Sequence, residues 1–182
     1  MRIEYLRQIV LASLMAGLMA VGAYLHIPIG PVPIVLTNLF VLLAGLLLGS
    51  RWGTASAGIY LLVGAIGMPV FSGGKGGLAH IFGPTGGYLF GFLLGAWITG
   101  LISQQFRHRL LFDVLAVLFG SLAIYALGIP WLKMVTAIPW NKAWLVGMAP
   151  FLIGDSIKAA VAIVLAQAVR PMLNRQMSIP SI

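Results

Sequence analysis

Six apolar stretches, at roughly 8–25, 34–50, 53–70, 86–103, 111–129 and 148–169, occupy most of this 182-residue chain. A hydrocarbon layer about 30 Å thick is crossed by about 20 apolar residues in helical form. No water reaches the backbone there, so its N–H and C=O groups must pair within the segment, and such runs are read as helices. The sequence therefore predicts an all-α integral membrane protein, a single domain over 1–182 with six transmembrane helices. Only 8% of the residues are charged, against roughly 25% in a soluble domain. That excludes a separate soluble module, and the formal charge of +8 forms no basic stripe for nucleic acid. With no cysteine, disulfides, thiol nucleophiles and thiolate metal sites are excluded as well.

Breakers and charges arrange the spans. Gly49, Ser50, Arg51 and Gly53 interrupt the second and third, which are short and nearly continuous. Breaker-rich segments follow the first span (HIPIGPVP, 26–33) and the third (MPVFSGGKGGLAHIFGP, 68–84). The segment IPWLKMVTAIPWNKAW at 129–144, with two prolines and three tryptophans, reads as an interfacial loop. With both termini cytoplasmic, Arg2, Arg7, Arg51, Arg107, Arg109, Arg170 and Arg175 lie inside and Lys75, Lys133 and Lys142 outside. This follows the positive-inside rule. The first apolar run lacks a convincing cleavage site and precedes five more spans, so it is read as a helix and not a secretion signal.

Asp155 and Lys158 are then the two charges expected inside a span, within PFLIGDSIKAAVAIVLAQAV at 150–169. A charge at that depth costs a few kcal/mol, roughly 3 on insertion scales, and marks a functional site more often than not. Residues i and i+3 share one helix face, with Cβ atoms about 5–6 Å apart. The pair points at itself or at a shared polar ligand, in the outer half of the last helix. A structural ion pair joining helices is the competing reading.

The other motifs carry less. Phe71-Ser72-Gly73-Gly74-Lys75-Gly76-Gly77 lets backbone amides approach a ligand and is suited to an amide nest for a carboxylate; a flexible outer loop is the alternative. Its lysine is followed by Gly76, so it is not a nucleotide P-loop. Gly83-Pro84-Thr85 signals a helix start, with Tyr88 one turn in. Small residues recur at Gly87, Gly91, Gly95 and Thr99, and at Ala12, Ala16 and Ala20, which permits close helix approach in lipid. His26, His80 and His108 show no metal spacing, and Asp113 with Arg109 reads as a surface pair. No enzyme constellation, metal site or cofactor is expected. His80 stays a candidate because it lies in the glycine-loop region.

PVPIVLTNLFVLLAGLLLG (31–49), YLLVGAIGMPVFSGGKGGLAHIFGPTGGYLFGF (60–92) and PFLIGDSIKAA (150–160) resemble the BioY family. Those proteins are the biotin-binding S components of energy-coupling factor (ECF) transporters. GPTGGY together with the late GDxxK carries the resemblance, which is weakest over 104–147. It implies a compact S-component bundle in a bacterial or archaeal cell membrane, with biotin bound under two outer loops. It also implies a membrane coupling (T) subunit and two cytoplasmic ABC-type ATPases as partners, with Ala12, Ala16 and Ala20 as the docking face. Many relatives carry glutamine then threonine where this chain has Thr37 and Asn38, so Asn38 becomes the candidate polar contact from the second span.

Asp155, ionised, suits the ureido N–H groups of biotin, and Lys158 suits the ureido oxygen or the valerate. The far end would meet amides of Gly73–Gly77, with Gly73, Gly74, Lys75, His80 and Tyr88 completing the candidate set. An S component for another vitamin, and a small membrane enzyme using Asp155 and Ser156 on a lipid, are the alternatives.

Overall fold

Helix α1 (Arg2–Tyr24) leads into a short hairpin of β1 (His26–Ile27) and β2 (Ile34–Val35), paired antiparallel with His26 opposite Val35. The chain then forms α2 (Thr37–Ala65), α3 (Leu78–Ile81), α4 (Gly86–Gln105), α5 (Leu110–Thr136), α6 (Trp140–Gly147) and α7 (Leu152–Met177). The computed structural model describes residues 2–28, 31–106 and 109–177. Arg107 and His108, used in the charge and histidine readings, lie outside the described residues, as do the side chains of Arg2 and Arg175. Among the described residues, α1, α2, α4, α5 and α7 are long and apolar enough to cross a membrane.

The second and third predicted spans are the two arms of α2, which breaks at Gly49 (φ 77°, ψ −174°). Only glycine takes that conformation without strain. Thr37 and Tyr60 line one cavity, although a straight helix would separate them by about 34 Å; the arms therefore fold back on each other. They meet just past the turn, where a Cβ on Gly53 would stand 2.9 Å from the Ala44 carbonyl oxygen. Gln104 of α4 closes the turn, its Oε1 accepting from Ser50 N–H at 3.0 Å and the Ser50 hydroxyl at 3.2 Å.

Close approach also explains the glycines of α4. A Cβ on Gly91 would lie 2.9 Å from the backbone of Ile124, and one on Gly95 would lie 3.0 Å from the Gly120 carbonyl oxygen. Thr99 continues the row, its hydroxyl donating to the Ala116 carbonyl at 3.2 Å. This stripe packs α4 on α5, as its spacing suggests.

Three expectations are corrected. Residues 129–144 do not form a loop: α5 runs on through Pro130 to Thr136, and α6 begins at Trp140. The alanine row of α1 is not a free docking face, because Ala12 and Ala16 are buried in the main core and Ala20 packs half-buried against it. Asp113 is not a surface partner of Arg109. It is fully buried and bonded to Arg170, whose Nη2 lies 3.0 Å from Asp113 Oδ1 and whose Nη1 contacts Oδ2. Arg170 Nη2 also donates to Ser103 Oγ and to the Leu46 carbonyl, each at 3.0 Å, while Ser103 donates to Asp113 at 2.6 Å. One guanidinium thus joins α7 to α2, α4 and α5.

Removing one member of a buried pair strands the other charge, typically at a cost of about 3–5 kcal/mol, whereas replacing both with apolar groups is often neutral. Arg170→Ala should therefore lower the thermal unfolding temperature in detergent sharply, and Asp113→Leu with Arg170→Met should recover most of it. Equal melting of the single and double variants would count against the network. Ala16→Trp, which overfills a packed position, should reduce folded yield and ligand binding together.

Candidate functional site

At the end of the bundle that carries the loops, α1, both arms of α2, α4, α5 and α7 enclose a cavity of about 590 Å³, its mouth included. Its walls are largely apolar, with Val32, Leu89, Phe92, Ile124 and Phe151 prominent. One group of polar side chains gathers where α2, α5 and α7 meet. Asp155 reaches the lining from the first turn of α7. Its Oδ1 receives Lys158 Nζ at 2.8 Å, and its Oδ2 receives Asn38 Nδ2 at 2.9 Å and the Tyr125 hydroxyl. Lys158 is itself buried and does not line the cavity, so the ammonium neutralises the carboxylate from behind.

This arrangement leaves acceptors facing inward. A carboxylate has about four lone-pair sites, and three donors reach Asp155. Asn38 Oδ1 is buried with no hydrogen-bond partner among the described residues, so it is an acceptor that a donor in the cavity could satisfy. The Tyr88 hydroxyl donates to the Gly147 carbonyl at 2.7 Å, so Tyr88 offers the cavity its ring, set edge-on to Tyr125 at 6.4 Å.

Two loops cover the mouth. Val32, Pro33 and Val35 contribute from the hairpin between α1 and α2. The glycine loop is anchored, not floppy: Phe71 is fully buried, fills the space beside Gly64 and stacks on His80 at 5.1 Å. Phe71 N–H donates to the Lys75 carbonyl at 2.8 Å, and the positive φ of Gly73 (73°) and Gly74 (69°) makes the tight turn between them. Part of the amide nest expected here is engaged within the loop. Gly74 and Lys75 N–H both donate to the Phe71 carbonyl, and Gly77 N–H donates to Gly64.

His80 and Thr85 line the cavity and are joined by a 3.3 Å hydrogen bond. They also line a second, outer hollow of about 830 Å³, open solvent included, with Gly73 and Lys75, whereas Gly74 packs toward Tyr24. Ser156 turns away: its hydroxyl donates to the Leu152 carbonyl, and it borders a groove between α5 and α7 instead. The geometry thus brings Asn38, Tyr88, His80 and Asp155 to one cavity, backs Asp155 with Lys158, and leaves Gly73 and Lys75 in the outer hollow.

The family model described as the BioY family matches residues 1–175. The chain belongs to the BioY family. It is 42% identical over 161 residues to the probable biotin transporter BioY of Pyrococcus horikoshii, covering 88% of this chain and 94% of that one. The biotin transporter BioY of Thermotoga maritima is 41% identical over the same shares. Among solved structures, the crystal structure of the S-component for biotin from an ECF-type ABC transporter superposes with a TM-score of 0.88 at 31% identity, covering 94% of each chain.

Sequence reasoning about this BioY chain missed Tyr125, Tyr60 and Thr85 as cavity residues. Tyr125 lies in the stretch where the family resemblance is weakest, and an intramembrane tyrosine carries no motif. A tyrosine inside an apolar span does need a partner for its hydroxyl, and that requirement was the available signal.

Burial, and then the nearby Lys75 charge, hold the His80 pKa below the ordinary value of 6.5. The folded chain therefore takes up this proton less readily than the unfolded chain, and stability rises with pH over that window. As pH falls below 6.5, His80 should cost the wild type stability until the folded ring protonates too. Thermal melts in detergent from pH 7.5 to 5 should show a shallower acid loss for His80→Gln; parallel curves would remove His80 from the acid response.

Proposed function

We propose that this BioY chain is the biotin-binding S component of an ECF-type vitamin uptake transporter. It crosses the cell membrane six times, the two arms of α2 counting separately, with both termini cytoplasmic and the cavity open to the outside. The fold-back at Gly49 supports that count. The location of Arg7, Arg51 and Arg109 away from the cavity supports the orientation. A membrane coupling subunit and two cytoplasmic ABC-type ATPases supply the driving force, since the chain carries no nucleotide-binding motif of its own.

The observation that carries the reading is an apolar cavity whose wall presents acceptors, Asp155 and the orphaned Asn38 Oδ1, with the acid's charge already balanced by Lys158. Biotin pairs an apolar thiophane body with a ureido group bearing two N–H donors. A site built to accept those donors rejects analogues lacking them, because its own groups are then left unpaired.

Equilibrium binding of biotin to the purified chain in detergent, with no ATPase present, should be tight and saturable. Asp155→Asn should weaken it about a hundredfold through loss of a charged acceptor, while membrane insertion persists. Biotin affinity unchanged in a folded Asp155→Asn sample would overturn the site, and a vitamin panel in which another compound outcompetes biotin would reassign the ligand.

A further inference from the structure

The structure assigns a docking surface for anionic phospholipid headgroups to the face built by the last turn of α5 and by α6. Lys133 and Lys142 are its cations, and Trp140 and Trp144 its aromatic anchors. The assignment rests on the membrane-spanning helices and is independent of the ligand in the cavity.

Length places this face at the headgroup layer. α5 has 27 residues, about 40 Å of helix at 1.5 Å per residue, whereas the hydrocarbon takes up about 30 Å. Its last turn, and the short α6 that follows, therefore emerge beyond the hydrocarbon. α6 is also sided. Ala143 and Gly147 are buried against the bundle, while Trp140 and Trp144 leave half their surface exposed and Leu145 more. Residues i and i+4 share a helix face, and tryptophan prefers a place where its ring is in an apolar layer and its N–H is wet.

Charge selects the partner. Residues 129–151 contain two lysines and no acidic residue, and neither lysine forms an ion pair among the described residues. Both stand on the side that the positive-inside rule leaves poor in cations. Lys133 Nζ lies over the Trp140 ring, 5.0 Å from its centroid, so the cation that ends α5 is held at the aromatic face of α6. Lys142 is exposed on the same short helix. A headgroup with net negative charge balances this pair, whereas a zwitterionic one brings a cation of its own. A lipid held here also steadies the cavity wall, because Gly147 at the end of α6 accepts the Tyr88 hydroxyl at 2.7 Å.

The chain has no cysteine, so Asn141→Cys, at an exposed position of α6, gives a single attachment point for a bimane fluorophore. The labelled full-length chain is placed in phosphatidylcholine nanodiscs containing equal mole fractions of phosphatidylglycerol or phosphatidylcholine brominated near the headgroup end of the acyl chains. Brominated phosphatidylglycerol should quench about threefold more effectively at low ionic strength and lose much of that advantage at high salt. Lys133→Gln with Lys142→Gln should make the two lipids quench equally without moving the thermal unfolding temperature, and Lys133→Arg with Lys142→Arg should keep the preference. Equal quenching by the two lipids before the lysines are replaced, or a preference that survives the double glutamine variant, would overturn the assignment. Absence of quenching by either lipid would also overturn it, by placing α6 away from the bilayer and leaving its aromatic face to a protein partner.

Discussion

Charge placed in hydrocarbon must be neutralised where it stands, and this fold does so twice on its last helix. Near one end of α7, Asp155 meets Lys158, Asn38 and Tyr125; near the other, Arg170 meets Asp113, Ser103 and the Leu46 carbonyl. Only 11% of the apolar window of α7 is buried inside the chain. Packing alone holds this helix weakly, so its position depends on the two polar clamps. The clamps differ in kind. The Arg170 clamp is closed, with a fully buried acid and a carbonyl, and it reads as structural. The Asp155 clamp borders a cavity and leaves an acceptor without a partner.

The cavity exists because α2 doubles back. Thr37 and Asn38 from one arm and Tyr60 from the other reach the same space, which a straight helix could not achieve. Phe71 then plugs the loop after the second arm against Gly64 and Tyr60, 5.5 Å from the tyrosine ring. That plug carries His80 and Ser72 to the mouth. Each step depends on a residue whose small size or backbone freedom is used at one position: Gly49 for the turn, Gly64 for the plug, Gly73 and Gly74 for the tip.

Much of this is legible in the sequence. The apolar runs identify the helices, the glycine stripe of α4 reads as packing, and the i, i+3 charges place Asp155 and Lys158 together. The features that stay hidden depend on contacts between distant elements. Arg170 and Asp113 are 57 apart in sequence, and neither neighbourhood announces that the other will supply its counter-charge. The alanine row of α1 shows a period but not a direction, because a small-residue face suits an internal neighbour as well as an external one. Glycine content suggests free amides at 73–77, yet three of them, those of Gly74, Lys75 and Gly77, are used to hold the turn itself.

The reversal at Gly49 also bears on how the chain enters a bilayer. Neither arm of α2, before or after Gly49, has the about 20 residues that a lone spanning helix needs. Each would leave polar backbone ends within hydrocarbon if it inserted by itself. The two arms therefore make sense as one inserting unit, a helical hairpin whose loop end carries Ser50 and Arg51 and is later capped by Gln104. The cavity is then tied to the pairing of the two arms, with α4 supplying the Gln104 contact that closes their turn.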